Sequence, residues 1–137
     1  MSFRYTCFFY TMRSTFSKTE RLKSRKDIAE LFATGDALFS YPIKWVYKKK
    51  VGTRVPSVRM GVSVSKRRWK RAADRNRLKR LLREVYRLNK SKIVSTLSTE
   101  EHLNGMLLYV AREELPYSDI EAAYLHIIEQ WLSSHPS

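Results

Sequence analysis

The sequence is poor in three things, and each shortage excludes a class of protein. Of 137 residues one is cysteine, Cys7. A lone thiol closes no internal disulfide and completes no zinc site, so a secreted disulfide scaffold and a zinc-finger reader are both out. No apolar run approaches the ~18–20 residues of a membrane span. Residues 1–10 mix Phe3, Tyr5, Phe8, Phe9 and Tyr10 with Arg4, without the long apolar stretch or small-residue cleavage site of a signal peptide. These absences fit a reducing, cytoplasmic setting. The third shortage is of acid: 13 Asp and Glu stand against 27 Lys and Arg, a formal charge of +14.

What is present is a core and a reason to be basic. Hydrophobic residues make up 43% and aromatics 12%, too much for a disordered basic tail and enough for one small domain. Such a charge excess repels itself unless a partner neutralises it, and the usual partners are a polyphosphate backbone or an anionic membrane surface. The excess is also uneven. Residues 61–92 hold 13 cations against Asp74 and Glu84, whereas residues 93–137 hold Arg112 against seven carboxylates. The middle of the chain is the polyanion contact, and the last third is mainly scaffold.

Periodicity gives the elements. Ser24 with Asp27 three residues on caps a short helix with Ile28, Leu31 and Phe32 on one face, and Gly35 stops it. On these residues alone Phe32 reads as core. Residues 41–50 alternate Ile43, Trp45 and Tyr47 with Lys44, Val46 and Lys48, the pattern of a strand. A turn through Gly52 and Pro56 leads to a second strand at 58–64, and 106–111 is a third. Residues 72–89 form a helix with Leu78, Leu81, Leu82 and Val85 as its apolar stripe and Arg75, Lys79, Arg83 and Arg87 on the other face. The last helix follows Pro116, with Ser118 and Glu121 in capping-box spacing, and buries Ile120, Ala123, Tyr124, Ile127 and Trp131. Residues 91–104 read as a linker. Short strands and segregated helices make an α+β fold. Met12, followed by Arg13, serves equally well as a start. Residues 1–14 therefore read as a disordered or non-native extension, 15–132 as the folded, nucleic-acid-binding domain and 133–137 as a tail.

The informative stretch is 60–83, MGVSVSKRRWKRAADRNRLKRLLR. A strand runs into a basic loop and then into a helix opening on Asp74-Arg75-Asn76-Arg77. Guanidinium forks, ammonium groups and the free N–H groups of a helix start together hold phosphate well. Trp69, set among cations, reads equally as a stacking or cation–π group and as a packing group. His102, His126 and His135 stand apart with no cysteine near them. Glu100-Glu101 and Glu113-Glu114 lie outside the basic region, so no metal site and no catalytic side chains are assigned.

This stretch also resembles a known family. Gly61-Val62-Ser63-Val64-Ser65-Lys66, then Arg75-Asn76-Arg77-Leu78-Lys79-Arg80-Leu81-Leu82-Arg83-Glu84, is similar to the signature of the bacterial ribonuclease P protein subunit. Phe16-Ser17-Lys18-Thr19-Glu20-Arg21-Leu22, with Asp27, Phe32 and Gly35, resembles that family's first motif. Residues 107–112 resemble its last strand. The resemblance implies an α-β-β-β-α-β-α order, a four-stranded sheet and a left-handed crossover, against the usual right-handed rule. It implies a ribonucleoprotein whose RNA holds the active site and Mg²⁺, while the protein is an accessory subunit in removing the 5′ leader of precursor tRNA.

By position, Ser65, Lys66, Arg67, Arg75, Asn76, Arg77, Lys79, Arg80 and Arg83 are the set expected to contact the catalytic RNA. Lys18, Arg21 and Phe32 belong to a cleft for the leader. Many members of the family have Phe where this chain has Ile28, which makes Tyr41, Trp45 or Tyr47 candidate replacements for stacking; Trp45 and Trp131 also read as core. The loop 67–74 reads one residue longer than the family's form. No obligate protein partner and no membrane partner is inferred. The alternatives are a basic ribosomal or nucleoid clamp without a role in tRNA cleavage, and a stand-alone nuclease or deaminase, for which no nucleophile–base pair is seen.

Overall fold

In the computed structural model, which describes residues 18–54 and 56–134, Ser24 opens the first helix as its spacing implies. Its Oγ accepts the Asp27 amide at 3.3 Å, satisfying one N–H that a helix start leaves without an intrahelical partner. This helix, α1, is Arg25–Thr34. It ends at Gly35 for reasons of space. The glycine backbone is extended, not left-handed, but a Cβ there would lie 2.4 Å from the Leu31 carbonyl oxygen and 2.9 Å from that of Tyr47. The expectations for residues 1–14, for Phe16, Ser17 and His135, and for the last residues of the tail lie outside the described residues.

Four strands follow, with helices between and after them. They are β1 (Asp36–Ser40), β2 (Ile43–Val51), β3 (Val58–Val64) and β4 (Glu101–Tyr109), with α2 (Ala72–Asn89) between β3 and β4 and α3 (Tyr117–Ser134) last. A helical turn at Ser91–Val94 occupies part of the expected linker. The sheet order is β1-β2-β4-β3. β1 and β4 are antiparallel to β2, and β3 is parallel to β4. A parallel neighbour requires a long crossover connection, which α2 supplies. The expected α-β-β-β-α-β-α order and small α+β class are therefore the observed ones.

The departures have physical causes. β1 is a five-residue edge strand with little burial, so alternation leaves a faint trace in its sequence. β4 starts five residues before the expected Met106, through Glu101-His102-Leu103-Asn104-Gly105. In that polar opening Glu101 and His102 are half-buried, and the one polar side chain fully enclosed there, Asn104, accepts Arg54 Nη2 at 2.7 Å. The capping box expected at Ser118 is not formed. The helix already begins at Tyr117, and the Pro116 carbonyl accepts the Asp119 amide at 3.0 Å.

Helices cover both faces of the sheet. On one face Ile43, Trp45 and Tyr47 of β2, Leu103, Leu107 and Tyr109 of β4, and Val58, Met60 and Val64 of β3 pack under α2 and α3. Trp45 stacks on Tyr47 at 4.5 Å, and Trp131 meets Trp45 edge-on at 5.8 Å. On the other face Leu22, Leu31, Val46 and Met106 form a smaller cluster under α1. α1 is also clamped at its polar flank: Glu30 accepts Lys50 Nζ at 2.6 Å, and Thr34 accepts Lys48 Nζ at 2.7 Å. These cations hold the Glu30 carboxyl below its ordinary range.

Candidate nucleic-acid interface

β3 and β4 run parallel, with Val64 opposite Tyr109, so the chain leaves both strands at the same end of the sheet. The loop after β3 and the segment after β4 therefore lie side by side, and the basic loop is built against that neighbour. Ser65 Oγ accepts the amides of Arg67 and Arg68 at 3.2 and 3.4 Å, a hydroxyl-closed turn. Arg68 Nη1 donates to the Val110 carbonyl. Trp69 donates from Nε1 to the Ala111 carbonyl at 3.0 Å and meets Tyr109 edge-on at 6.1 Å. Trp69 is thus a packing residue, half-buried beneath the loop. Lys66, Arg67, Lys70 and Arg71 stand exposed above it.

The first turn of α2 adds two arginines that are bonded within the protein, Arg75 half-buried and Arg77 exposed. Arg75 Nη1 donates to the carbonyls of Trp69 at 2.7 Å and Lys70 at 3.0 Å. Arg77 meets Glu114 with two bonds and Asp74 with a third, Nη2 to Oδ1 at 2.9 Å. These acids raise the Arg77 guanidinium further above its ordinary value, and Arg77 in turn lowers the Glu114 carboxyl. Beyond them, Asn76 and Arg80 are exposed, and Lys79 and Arg83 are half-buried beside the Leu78–Leu82–Val85 stripe. Burial, and then the like charges of Arg21 and Arg80, push Arg83 below its ordinary value. Arg87, expected to continue the row, is paired with Glu84 at 2.6 Å instead.

The opposite face of the sheet leaves an open floor beside α1. Register aligns Phe39 with Lys44, Lys44 with Leu108, and Leu108 with Ser63. Residues paired across strands share a face, so this row lies on the α1 side. Phe39 is 55% exposed and Phe32, on α1, is 52% exposed. Glu30 and Thr34 hold one flank of α1 to β2, and the helical period puts Ile28 and Phe32 on the other flank. Phe32 is therefore not core, contrary to the reading from its residues alone. At the start of α1, Lys18 and Arg21 share a depression of about 220 Å³ with Thr19, Lys23, Asp27 and Arg59.

Two expected cleft residues are elsewhere. Trp45 and Tyr47 point to the α2–α3 face and are buried against Trp131, so neither reaches a bound strand. Alternation made both faces of β2 look usable; the larger core decided which face took the rings. Phe39 is the aromatic the sequence reading missed, because it lies on the strand that reading did not assign.

The Ribonuclease P family model matches residues 16–129. The chain belongs to the ribonuclease P protein family. The ribonuclease P protein component of Porphyromonas gingivalis (strain W83) is 42% identical over 100 residues, covering 73% of each chain. That of Chlorobium phaeobacteroides is 37% identical over 99 residues, covering 69% of this chain and 67% of its own. Among solved structures, the Staphylococcus aureus RNase P protein superposes with a TM-score of 0.62 at 19% identity, over 83% of this chain and 96% of that one. The RNase P protein from Thermotoga maritima gives 0.61 at 21%, over 81% and 96%. The fold is shared at these low identities.

Membership assigns the chain to tRNA 5′ processing, as an accessory subunit of the ribonuclease P complex and a partner of its RNA, as the sequence led us to expect. Within this ribonuclease P fold, Ser65, Lys66 and Arg67 fall on the loop after β3, and Asn76, Lys79, Arg80 and Arg83 on the outer side of α2. Lys18 and Arg21 fall beside α1. Among the described residues no three or more His, Cys, Asp or Glu side chains gather as metal ligands, and no helix is long and apolar enough to cross a membrane.

Proposed function

We propose that this chain binds the catalytic RNA of ribonuclease P through loop 65–71 and the outer side of α2, and the single-stranded 5′ leader of precursor tRNA through the open floor beside α1. The observation that carries this reading is the pairing of an exposed cationic ridge with an open floor that has two exposed aromatic rings, Phe39 on β1 and Phe32 on α1. The ridge suits a folded RNA, because guanidinium and ammonium groups neutralise phosphates without reading sequence. The floor suits a single strand, because unpaired bases stack on aromatic faces while Lys44 and Arg59 meet the backbone.

Hydrolysis itself is the work of the RNA in this reading. Mg²⁺, which supplies charge stabilisation and an activated water in phosphodiester cleavage, is held by the RNA and the substrate, since the ridge offers cations that repel a metal ion. The protein's own contribution is to hold the leader and neutralise the RNA. We place this activity in the cytoplasm, in keeping with a chain of 1 cysteine.

A cleavage assay at near-physiological Mg²⁺ tests the reading, with precursor tRNA and the protein alone, a bacterial ribonuclease P RNA alone, and both together. The expected result is efficient cleavage at the mature 5′ end with both. Cleavage by protein alone, or an RNA whose activity the protein does not change, overturns it and leaves a basic clamp in its place.

A further inference from the structure

The basic loop is turned at its start by Ser65 Oγ and must still be held at its end. Lys66, Arg67, Arg68, Lys70 and Arg71 crowd like charges into six positions, and Arg71, the residue that caps the start of α2, makes no side-chain cap bond. The loop's repulsion and its bare carbonyls need a donor that comes from outside the loop. That donor is Arg75. A single nitrogen, Nη1, donates both its hydrogens, one to the carbonyl of Trp69 and one to that of Lys70, at 2.7 and 3.0 Å. The same stretch is fixed from the other side by Trp69 Nε1 on the Ala111 carbonyl and by the Trp69 amide on the Ser65 carbonyl, both at 3.0 Å. Arg75 thus closes the loop onto the helix that follows it, with its guanidinium under the backbone at the point where Lys70 and Arg71 emerge.

We propose that Arg75 is a positioning residue, which braces loop 66–71 so that Lys66, Arg67, Lys70 and Arg71 present one fixed array of charges to phosphate. The inference rests on the reading of this ridge as an RNA surface. An unbraced loop samples many shapes and must be ordered again on binding, at an entropic cost that the braced loop avoids. Arg75 acts through its neighbours, so its effect on RNA depends on their being there.

Two measurements on the full-length protein test this. The first needs no RNA: hydrogen exchange of the segment 66–71 in wild type, Arg75→Ala and Arg67→Ala. Losing hydrogen bonds from a charged donor is expected to speed exchange at the Trp69 amide about tenfold in Arg75→Ala, while Arg67→Ala leaves it unchanged. The second is affinity for a bacterial ribonuclease P RNA across a salt series. Arg75→Ala is expected to weaken binding about tenfold in the wild-type background, but less than about twofold where Arg67→Ala and Lys70→Ala are already present.

Trp69→Phe supplies a second variant. It keeps the ring on Tyr109, removes the bond to Ala111 and takes away no charge, so it too is expected to loosen the loop and weaken RNA binding. Unchanged exchange in Arg75→Ala overturns the brace. A full tenfold penalty that persists without Arg67 and Lys70 also overturns it, because Arg75 would then touch RNA directly. Should Arg67→Ala with Lys70→Ala leave RNA affinity intact, the RNA reading of the ridge falls while the exchange result still stands on its own.

Discussion

Arg77 and Glu114 meet side-on, Nε to Oε2 at 2.5 Å and Nη2 to Oε1 at 2.8 Å. This pair ties the first turn of α2 to the segment leaving β4. That segment is fixed independently: the Tyr109 hydroxyl donates to the Glu113 carbonyl at 2.7 Å and accepts the Leu115 amide at 3.0 Å. The pair is therefore a bond between two ordered elements, and it occupies with a carboxylate the guanidinium edge that a phosphate oxygen pair would take.

The first prediction concerns pH. Arg77 holds the Glu114 carboxyl below the ordinary glutamate range. A lowered folded-state value means the contribution is present above the unfolded value of about 4.3 and is lost as pH falls through the folded one. Carboxyl NMR is expected to show Glu114 titrating below the ordinary glutamate range. In Arg77→Ala the Glu114 midpoint is expected to rise to the ordinary range. A Glu114 midpoint that does not move shows that the pair is not formed in solution.

Variants of Phe39 and Trp45 are expected to separate leader binding from stability. The two lie on neighbouring strands, Phe39 on the open floor and Trp45 in the core. Phe39→Ala is expected to leave the denaturation midpoint nearly unchanged and to weaken binding of leader-bearing precursor by about 1–3 kcal/mol, the contribution of a stacked base. Mature tRNA should be bound as before. Trp45→Ala is expected to cost about 3–5 kcal/mol of stability. Equal losses for precursor and mature tRNA in Phe39→Ala would place the leader elsewhere.

This contrast shows what the sequence discloses and what it conceals. Long periodic segments were legible: α2 has the bounds read from its leucine stripe, and α1 carries the Ser24 cap. The basic ridge was legible as well, since 13 cations in 32 residues need no fold to be noticed. Which side chains of the ridge already hold a partner within the protein was not. Arg75, Arg77 and Arg87 look like Arg80 in sequence, and only the nearby carbonyls of Trp69 and Lys70 and the carboxylates of Glu114 and Glu84 set them apart. β1 was hidden for a similar reason: as an edge strand it lacks the two-sided burial that makes a pattern.

Gly35 and Gly61 make a graded test of the packing around α1. A Cβ at Gly35 meets two backbone oxygens, which cannot withdraw without moving α1 or β2. At Gly61 it meets Met106 Cε and Sδ at 2.9 Å, the far end of a flexible side chain that can turn away. Gly35→Ala is expected to cost about 1–3 kcal/mol, and Gly61→Ala less than about 1 kcal/mol. Denaturant midpoints at constant slope provide the measurement. Equal losses would mean that Met106 is as fixed as the backbone.

Lys90 and Glu20 hold the N-terminal segment to the far end of α2. Lys90 is 3% exposed, and its Nζ donates to Glu20 Oε2 at 2.6 Å. Glu20 lies between Lys18 and Arg21, so this buried pair fixes the approach of both cations to the depression beside α1. Removing the carboxylate leaves the ammonium buried with its main counter-charge gone, and Glu20→Gln is expected to cost about 3–5 kcal/mol. Replacing both partners with methionine should recover most of that loss, because an apolar pair avoids the desolvation of two charges. Leader affinity should follow the same order, falling in Glu20→Gln and returning in the double variant, since the apolar pair again anchors the segment. If Glu20→Gln is as stable as wild type, the pair does not anchor Lys18 and Arg21, and their placement comes from other contacts, among them the Arg21–Met60 bridge and the Leu22 contact.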